Sequence, residues 1–170
     1  MRPKLQEEIE SMRKAGKILA GTLQLLKESI KPGMTTQDLE DMAQAELKKQ
    51  GVTGPFLGYQ GFPATLCVSV NEEVVHGMPG ARVIEDGDIV GLDFGVEVDR
   101  LITDGAITVP VGNVSDEALR LIEITKKSMM AGIKAVKAGA HIGDIAAAVE
   151  GVLKPAGYGI VEDLAGHGVG

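Results

Sequence analysis

The chain has 170 residues, 44% hydrophobic and 24% charged, with a formal net charge of −7 and a single cysteine, Cys67. Such a composition describes a soluble globular protein long enough for one domain with a substantial core, and its acidity argues against a nucleic-acid surface. One cysteine excludes an internal disulfide and fits a reducing compartment, and no apolar run approaches the roughly 20 residues of a membrane span.

At the N-terminus, Glu7, Glu8 and Glu10 stand where a signal peptide would need an apolar stretch, so a cytoplasmic location is expected. Ile9, Met12, Leu19, Leu23 and Leu26 recur at helical spacing and predict a helix from about Gln6 to Glu28, closed by Pro32-Gly33. Thr35 and Asp38 have the spacing of a capping box for a second helix reaching Gln50. The next segment holds Phe56, Tyr59 and Phe62, three of the five Phe and Tyr residues within seven positions. That clustering suits an apolar side-chain pocket or a local core beneath a loop. A strand over 65–70 follows, in which Cys67 reads most simply as a buried strand residue.

Two strands come next, Ile89 to Val98 and Leu101 to Val109. In the first, Val90, Leu92, Phe94, Val96 and Val98 share one face, while Gly91, Asp93, Gly95 and Glu97 share the other. If Asp99-Arg100 is a two-residue turn, opposing positions sum to 199, and Asp93 and Asp104 become diagonal neighbours on one face. A slip of one residue would put them on opposite faces. Two carboxylates so placed repel unless a cation or a proton intervenes, and hard oxygen ligands favour divalent ions. The competing reading is a pair of solvent-facing aspartates on an antiparallel sheet with one wet face.

Beyond the hairpin, Ser115 is a candidate N-cap for a helix to about Lys137, and a fourth helix spans Gly143 to Lys154. Three histidines are present. His76 lies in Val74-Val75-His76-Gly77-Met78-Pro79 and His167 in Gly166-His167-Gly168-Val169-Gly170, each beside glycine. Imidazole serves as a metal ligand or as a general acid or base, although a His next to Gly is also an ordinary turn residue. His141 fits the structural role, preceding a helix with no acidic partner in view.

Four segments together resemble the type I methionine aminopeptidases of the creatinase, or pita-bread, fold. They are Gly58-Tyr59-Gln60-Gly61-Phe62-Pro63-Ala64, Val70 to Pro79, Asp93-Phe94-Gly95-Val96 continuing to Thr103-Asp104, and Gly166 to Gly170. The resemblance implies an α+β fold in which helices cover an antiparallel sheet with pseudo-twofold symmetry. It also implies hydrolysis of the first peptide bond of new polypeptides that begin with Met and a small second residue, near the ribosome and without contact to nucleic acid or membrane. Asp93, Asp104 and His167 would then be ligands of two divalent metal ions (Co, Mn, Fe or Zn), and His76 a proton-handling residue that contacts the scissile peptide. Phe56, Tyr59, Phe62 and Cys67 would line the methionine pocket. Two further glutamate ligands of that family lie beyond its Gly-His-Gly segment and match no residue here, so this chain by itself is expected to hold at most one ion well. An Xaa-Pro aminopeptidase or prolidase, and a catalytically incomplete fragment or binding module, are the alternatives.

The sequence also repeats. A shift of 106 residues aligns Lys31 with Lys137, Gly33 with Gly139, Asp38 with Asp144, Leu47 with Leu153, Lys48 with Lys154 and Gly51 with Gly157 without a gap. The first copy leads into the Asp hairpin. The second would lead into a sheet starting near position 171, so residues 1–170 are expected to form one catalytic domain truncated before the second half of its sheet.

Overall fold

A computed structural model describes residues 2–170 in the order α1 (Gln6–Ser29), α2 (Thr36–Gln50), β1 (Leu66–Val70), β2 (Ile89–Val98), β3 (Leu101–Pro110), α3 (Asp116–Ala135) and α4 (Ile142–Ala156). A single turn of 3-10 helix, Tyr59–Gly61, lies before β1. The chain divides into two compact units, the first holding α1, α2 and the sheet together with Gly168–Gly170, the second running from Ser115 to His167.

In the first unit the strands form an antiparallel sheet in the order β1-β2-β3. One face carries Leu66, Val68 and Val70 of β1 and Val90, Leu92, Phe94, Val96 and Val98 of β2, all buried with Leu23 and Leu26 of α1 and Leu39, Ala43 and Leu47 of α2. Period-two alternation in the strands and 3.6-residue spacing in the helices thus deliver their apolar sets to one core. Phe94 is fully buried, so truncating it should cost about 3 to 5 kcal/mol.

The β2–β3 ladder pairs Ile89 with Pro110 and Val98 with Leu101, which is the register whose opposing positions sum to 199. Asp99 and Arg100 have φ of 52° and 65°. Both lie in the left-handed region that a two-residue primed turn demands, although neither is the glycine or asparagine usual there. Ser11 of α1 donates its hydroxyl to Asp99 Oδ2 at 2.7 Å, which ties the turn to the helix.

Helix ends follow the expected capping chemistry. The Thr35 hydroxyl accepts the Asp38 N–H at 3.2 Å, and Asp38 Oδ2 accepts the Thr35 N–H at 2.7 Å. Ser115 caps α3 by accepting the Ala118 N–H at 3.2 Å. α1 stops at Ser29, and Ile30, two residues before Pro32, is already extended. α3 stops at Ala135, two residues short of the expected Lys137, because Val136 turns extended.

The internal repeat holds at the level of structure. α4 begins and ends 106 residues after α2, and α3 ends 106 residues after α1. Both second helices are capped by a left-handed glycine, Gly51 at φ 67° and Gly157 at φ 83°. Asp144 does for α4 what Asp38 does for α2, accepting the His141 N–H at 2.8 Å, and the His141 ring Nδ1 lies 3.8 Å from the same carboxylate. The expectation that His141 has no acidic partner is thereby corrected: helical geometry folds the residue three positions on back over the N-cap. Among the described residues no helix is long and apolar enough to cross a membrane.

Candidate functional site

The face of the sheet opposite the core brings the two aspartates together. Asp93 pairs with Cys67 on β1 and with Ala106 on β3, and Asp104 pairs with Gly95, so Asp93 and Asp104 are diagonal neighbours on one face. Such neighbours are typically separated by roughly 7 to 8 Å between Cα atoms. The Cys67 thiol reports on the same arrangement. Burial first, then the charges of Asp93, Asp104 and Glu40, push it up to about 12. Both carboxylates are therefore close enough to the sulfur to disfavour a thiolate.

The rest of that face is shaped by close approach. A Cβ at Gly95 would come within 2.7 Å of Pro55 Cγ and 3.0 Å of Phe56 Cε1, so the absence of a side chain lets the Pro55-Phe56 segment sit against β2 beside the aspartates. Of the other aromatic candidates, Phe62 is half-buried and Tyr59 is 68% exposed. The aromatic cluster thus places one ring on the aspartate-bearing strand and projects another into solvent.

His76 is exposed and stands at φ 59°, an unfavourable conformation for a residue with a Cβ. It is set beside β1 by its neighbour, since the Val68 N–H donates to the Gly77 carbonyl at 2.9 Å and the Gly77 N–H donates to Ser69 Oγ at 3.1 Å. These bonds cover the outer edge of β1. A side chain at position 77 would collide with the Val68 backbone, which explains the glycine there. His167 is exposed and belongs to the second unit, in a run without regular structure.

Sequence reasoning missed one residue beside this face. Glu40 of α2 is only 2% exposed. It accepts the Thr65 N–H and hydroxyl, each at 2.8 Å, the Leu66 N–H at 2.8 Å and the Gln44 amide at 2.7 Å. Four donors satisfy its carboxylate and anchor the start of β1, immediately before Cys67. A helical wheel would have found it, because Glu40 falls on the stripe of Thr36, Ala43 and Leu47, all buried.

The donors on the aspartate face suit a hard divalent cation in kind, being two carboxylates on adjacent strands. In number they are fewer than a complete site needs. Among the described residues no group of three or more His, Cys, Asp or Glu side chains is placed to hold a metal ion.

Comparison with known proteins gives the family of the chain. The family described as Metallopeptidase family M24 matches residues 10–170. A methionine aminopeptidase of Clostridium perfringens is 45% identical over 167 residues, a match that covers 98% of this chain and 67% of the relative. The crystal structure of a methionine aminopeptidase from Thermotoga maritima superposes with a TM-score of 0.97 at 38% identity, covering 99% of this chain and 68% of that one. An Xaa-Pro dipeptidase from Bacillus anthracis shares the fold more distantly, at 25% identity and a TM-score of 0.83 over 98% of this chain and 46% of its own. The pita-bread architecture read from the sequence is the fold of these structures, and the chain belongs to metallopeptidase family M24.

Proposed function

We propose that this protein removes the initiator methionine from new polypeptides whose second residue is small, by metal-dependent hydrolysis of the first peptide bond. The observation that supports this most is the shared face of Asp93 and Asp104, with Cys67 opposite Asp93. In this reading Asp93 and Asp104 hold a divalent ion (Co, Mn, Fe or Zn), with His167 as a further ligand. When bound, such an ion supplies a Lewis acid for the carbonyl oxygen and lowers the pKa of water. His76 faces the scissile amide and carries a proton toward the departing amine. Phe56, Tyr59, Phe62 and Cys67 receive the methionine side chain, the thiol contributing as a neutral, polarisable group. Substrate would be met in the cytoplasm as nascent chains leave the ribosome. In this reading residues 1–170 serve one catalytic domain.

The test is a peptide assay with added Mn(II) or Co(II), setting Met-Ala-Ser against Ala-Pro-Ser. Release of free methionine supports the proposal, whereas preference for the proline peptide turns it toward the Xaa-Pro dipeptidase side of the family. A second reading, a catalytically incomplete fragment or binding module, draws on the absence of a three-ligand cluster among the described residues. It requires one ion to bind in a calorimetric titration with no cleavage of either peptide.

A further inference from the structure

The loop from Asn71 to Arg82 presents His76, and burial does not hold its tip. Val74 and Met78, on either side of the histidine, are 66% and 68% exposed. The loop's ends are well anchored. At the β1 end, the Asn71 N–H donates to the Ile89 carbonyl at 3.0 Å, and its side chain accepts the Ile89 N–H at 3.0 Å and donates to Asp88 at 2.8 Å. At the far end, the Thr36 N–H donates to the Arg82 carbonyl at 2.9 Å, and the Thr36 hydroxyl exchanges hydrogen bonds with Gly80 at 2.9 and 3.0 Å. Between these ends Gly77 bonds Val68 and Ser69 of β1, and the residue before it, His76, is held at φ 59°, a conformation that persists only where its surroundings impose it.

One side chain links the two limbs. Glu73 Oε2 accepts the Val70 N–H at 2.7 Å, and Glu73 Oε1 accepts from Arg82 Nη1 at 2.9 Å. A single carboxylate therefore fastens the outgoing limb to the end of β1 and to the returning limb. The side chains of Glu73 and Arg82 are each 40% exposed, so the pair adds little to global stability. Its consequence is local, because it closes a loop that has no buried apolar residue at its tip to close it.

We propose that Glu73 is a positioning residue for His76, clamping the 71–82 loop through Arg82 and Val70 so that the imidazole is held beside β1. This rests on the reading of His76 as the proton-handling residue. Because the clamp is superficial, its loss acts on turnover and loop order rather than on folding.

The experiment compares wild type with Glu73→Ala, Glu73→Gln and Arg82→Lys by amide hydrogen exchange at Gly77, thermal melting and steady-state kinetics on Met-Ala-Ser. For Glu73→Ala, exchange at the Gly77 amide should accelerate about tenfold or more, with the melting temperature within about 3 °C of wild type. Its kcat should fall about tenfold or more while KM changes less than about twofold. Arg82→Lys, which keeps the charge beside Glu73, should retain most of the wild-type value of both readouts, and Glu73→Gln, which keeps the acceptor for Val70, should lie between. Unchanged Gly77 exchange in Glu73→Ala overturns the proposal, as does a kcat loss that merely tracks a lowered melting temperature. Failure of the functional reading is seen separately, as a wild-type protein that releases no methionine, and the exchange measurement still decides whether Glu73 orders the loop.

Discussion

Cys67 of β1 lies directly opposite Asp93 of β2 in the antiparallel ladder. The sulfur consequently sits among carboxylates as well as in the interior, and its proton is held well beyond the ordinary thiol range, to about 12. A group protonated in the folded state and ionised in the unfolded one destabilises the fold as the solution turns alkaline. Stability from this thiol is complete below the unfolded pKa of about 8.5 and declines as pH rises toward the folded value. The urea midpoint of wild type should therefore drop more between pH 8 and pH 11 than that of Cys67→Ala, and parallel profiles would disprove the effect. At pH 8 iodoacetamide should leave the native thiol unmodified, since it is 4% exposed, and react with it only in denaturant.

The diagonal pair of aspartates should behave as a unit toward divalent cations. Calorimetric titration with Mn(II) should show binding in wild type and a loss of about tenfold or more in affinity for Asp93→Asn and for Asp104→Asn, since each removes one charged oxygen donor. Equal binding by wild type and both variants would separate these carboxylates from metal.

Glu40 offers a stability prediction. Glu40→Ala leaves the Thr65 and Leu66 N–H groups buried without their acceptor, and the cost should be about 3 kcal/mol. Glu40→Gln should recover part of it, because one amide oxygen still accepts while the amide nitrogen faces a donor. Equilibrium urea unfolding at constant m-value measures both, and an Ala variant as stable as wild type would remove Glu40 from the account of β1.

At the acid end the Asp38 cap sets the direction. The backbone N–H of Thr35, and then its hydroxyl, hold the Asp38 carboxyl below the usual carboxylate range. Its stabilising effect is present above the ordinary carboxylate pKa and is lost as pH falls through the lower folded value. Thr35→Ala should cost about 1 kcal/mol at neutral pH, and Asp38→Asn, which removes the titrating carboxyl, should flatten the acid limb of the stability profile, read by circular dichroism melts from pH 7 to pH 2. An unaltered acid limb would mean that the cap does not couple to folding.

Gly95 is where the aromatic segment meets the sheet. Gly95→Ala puts a methyl group against Pro55 and Phe56 and should displace that segment from β2. Affinity for methionine-bearing peptides should weaken about tenfold, seen as a raised KM, while binding of Mn(II) is retained. A KM equal to that of wild type would leave Phe56 outside the binding surface.

Much of this was legible in the chain itself. The Ile89–Val98 alternation has a period of two and permits one buried face, so the register of the hairpin and the common face of Asp93 and Asp104 followed from spacing once Asp99-Arg100 was taken as the turn. Thr35 with Asp38, Ser115, and the glycines at 51 and 157 announced helix ends because capping is a local matter of a few backbone groups. The 106-residue repeat survived as helices in matching positions for the same reason. Only the tertiary structure decided what depends on contacts distant along the chain: that Glu40 is buried under four donors from α2 and the start of β1, that Gly77 covers the edge of β1, and that Glu73 joins Arg82 around His76. A polar side chain carries no sign in one sequence of whether it meets water or a partner dozens of positions away. That choice belongs to the packing of helix, strand and loop against one another.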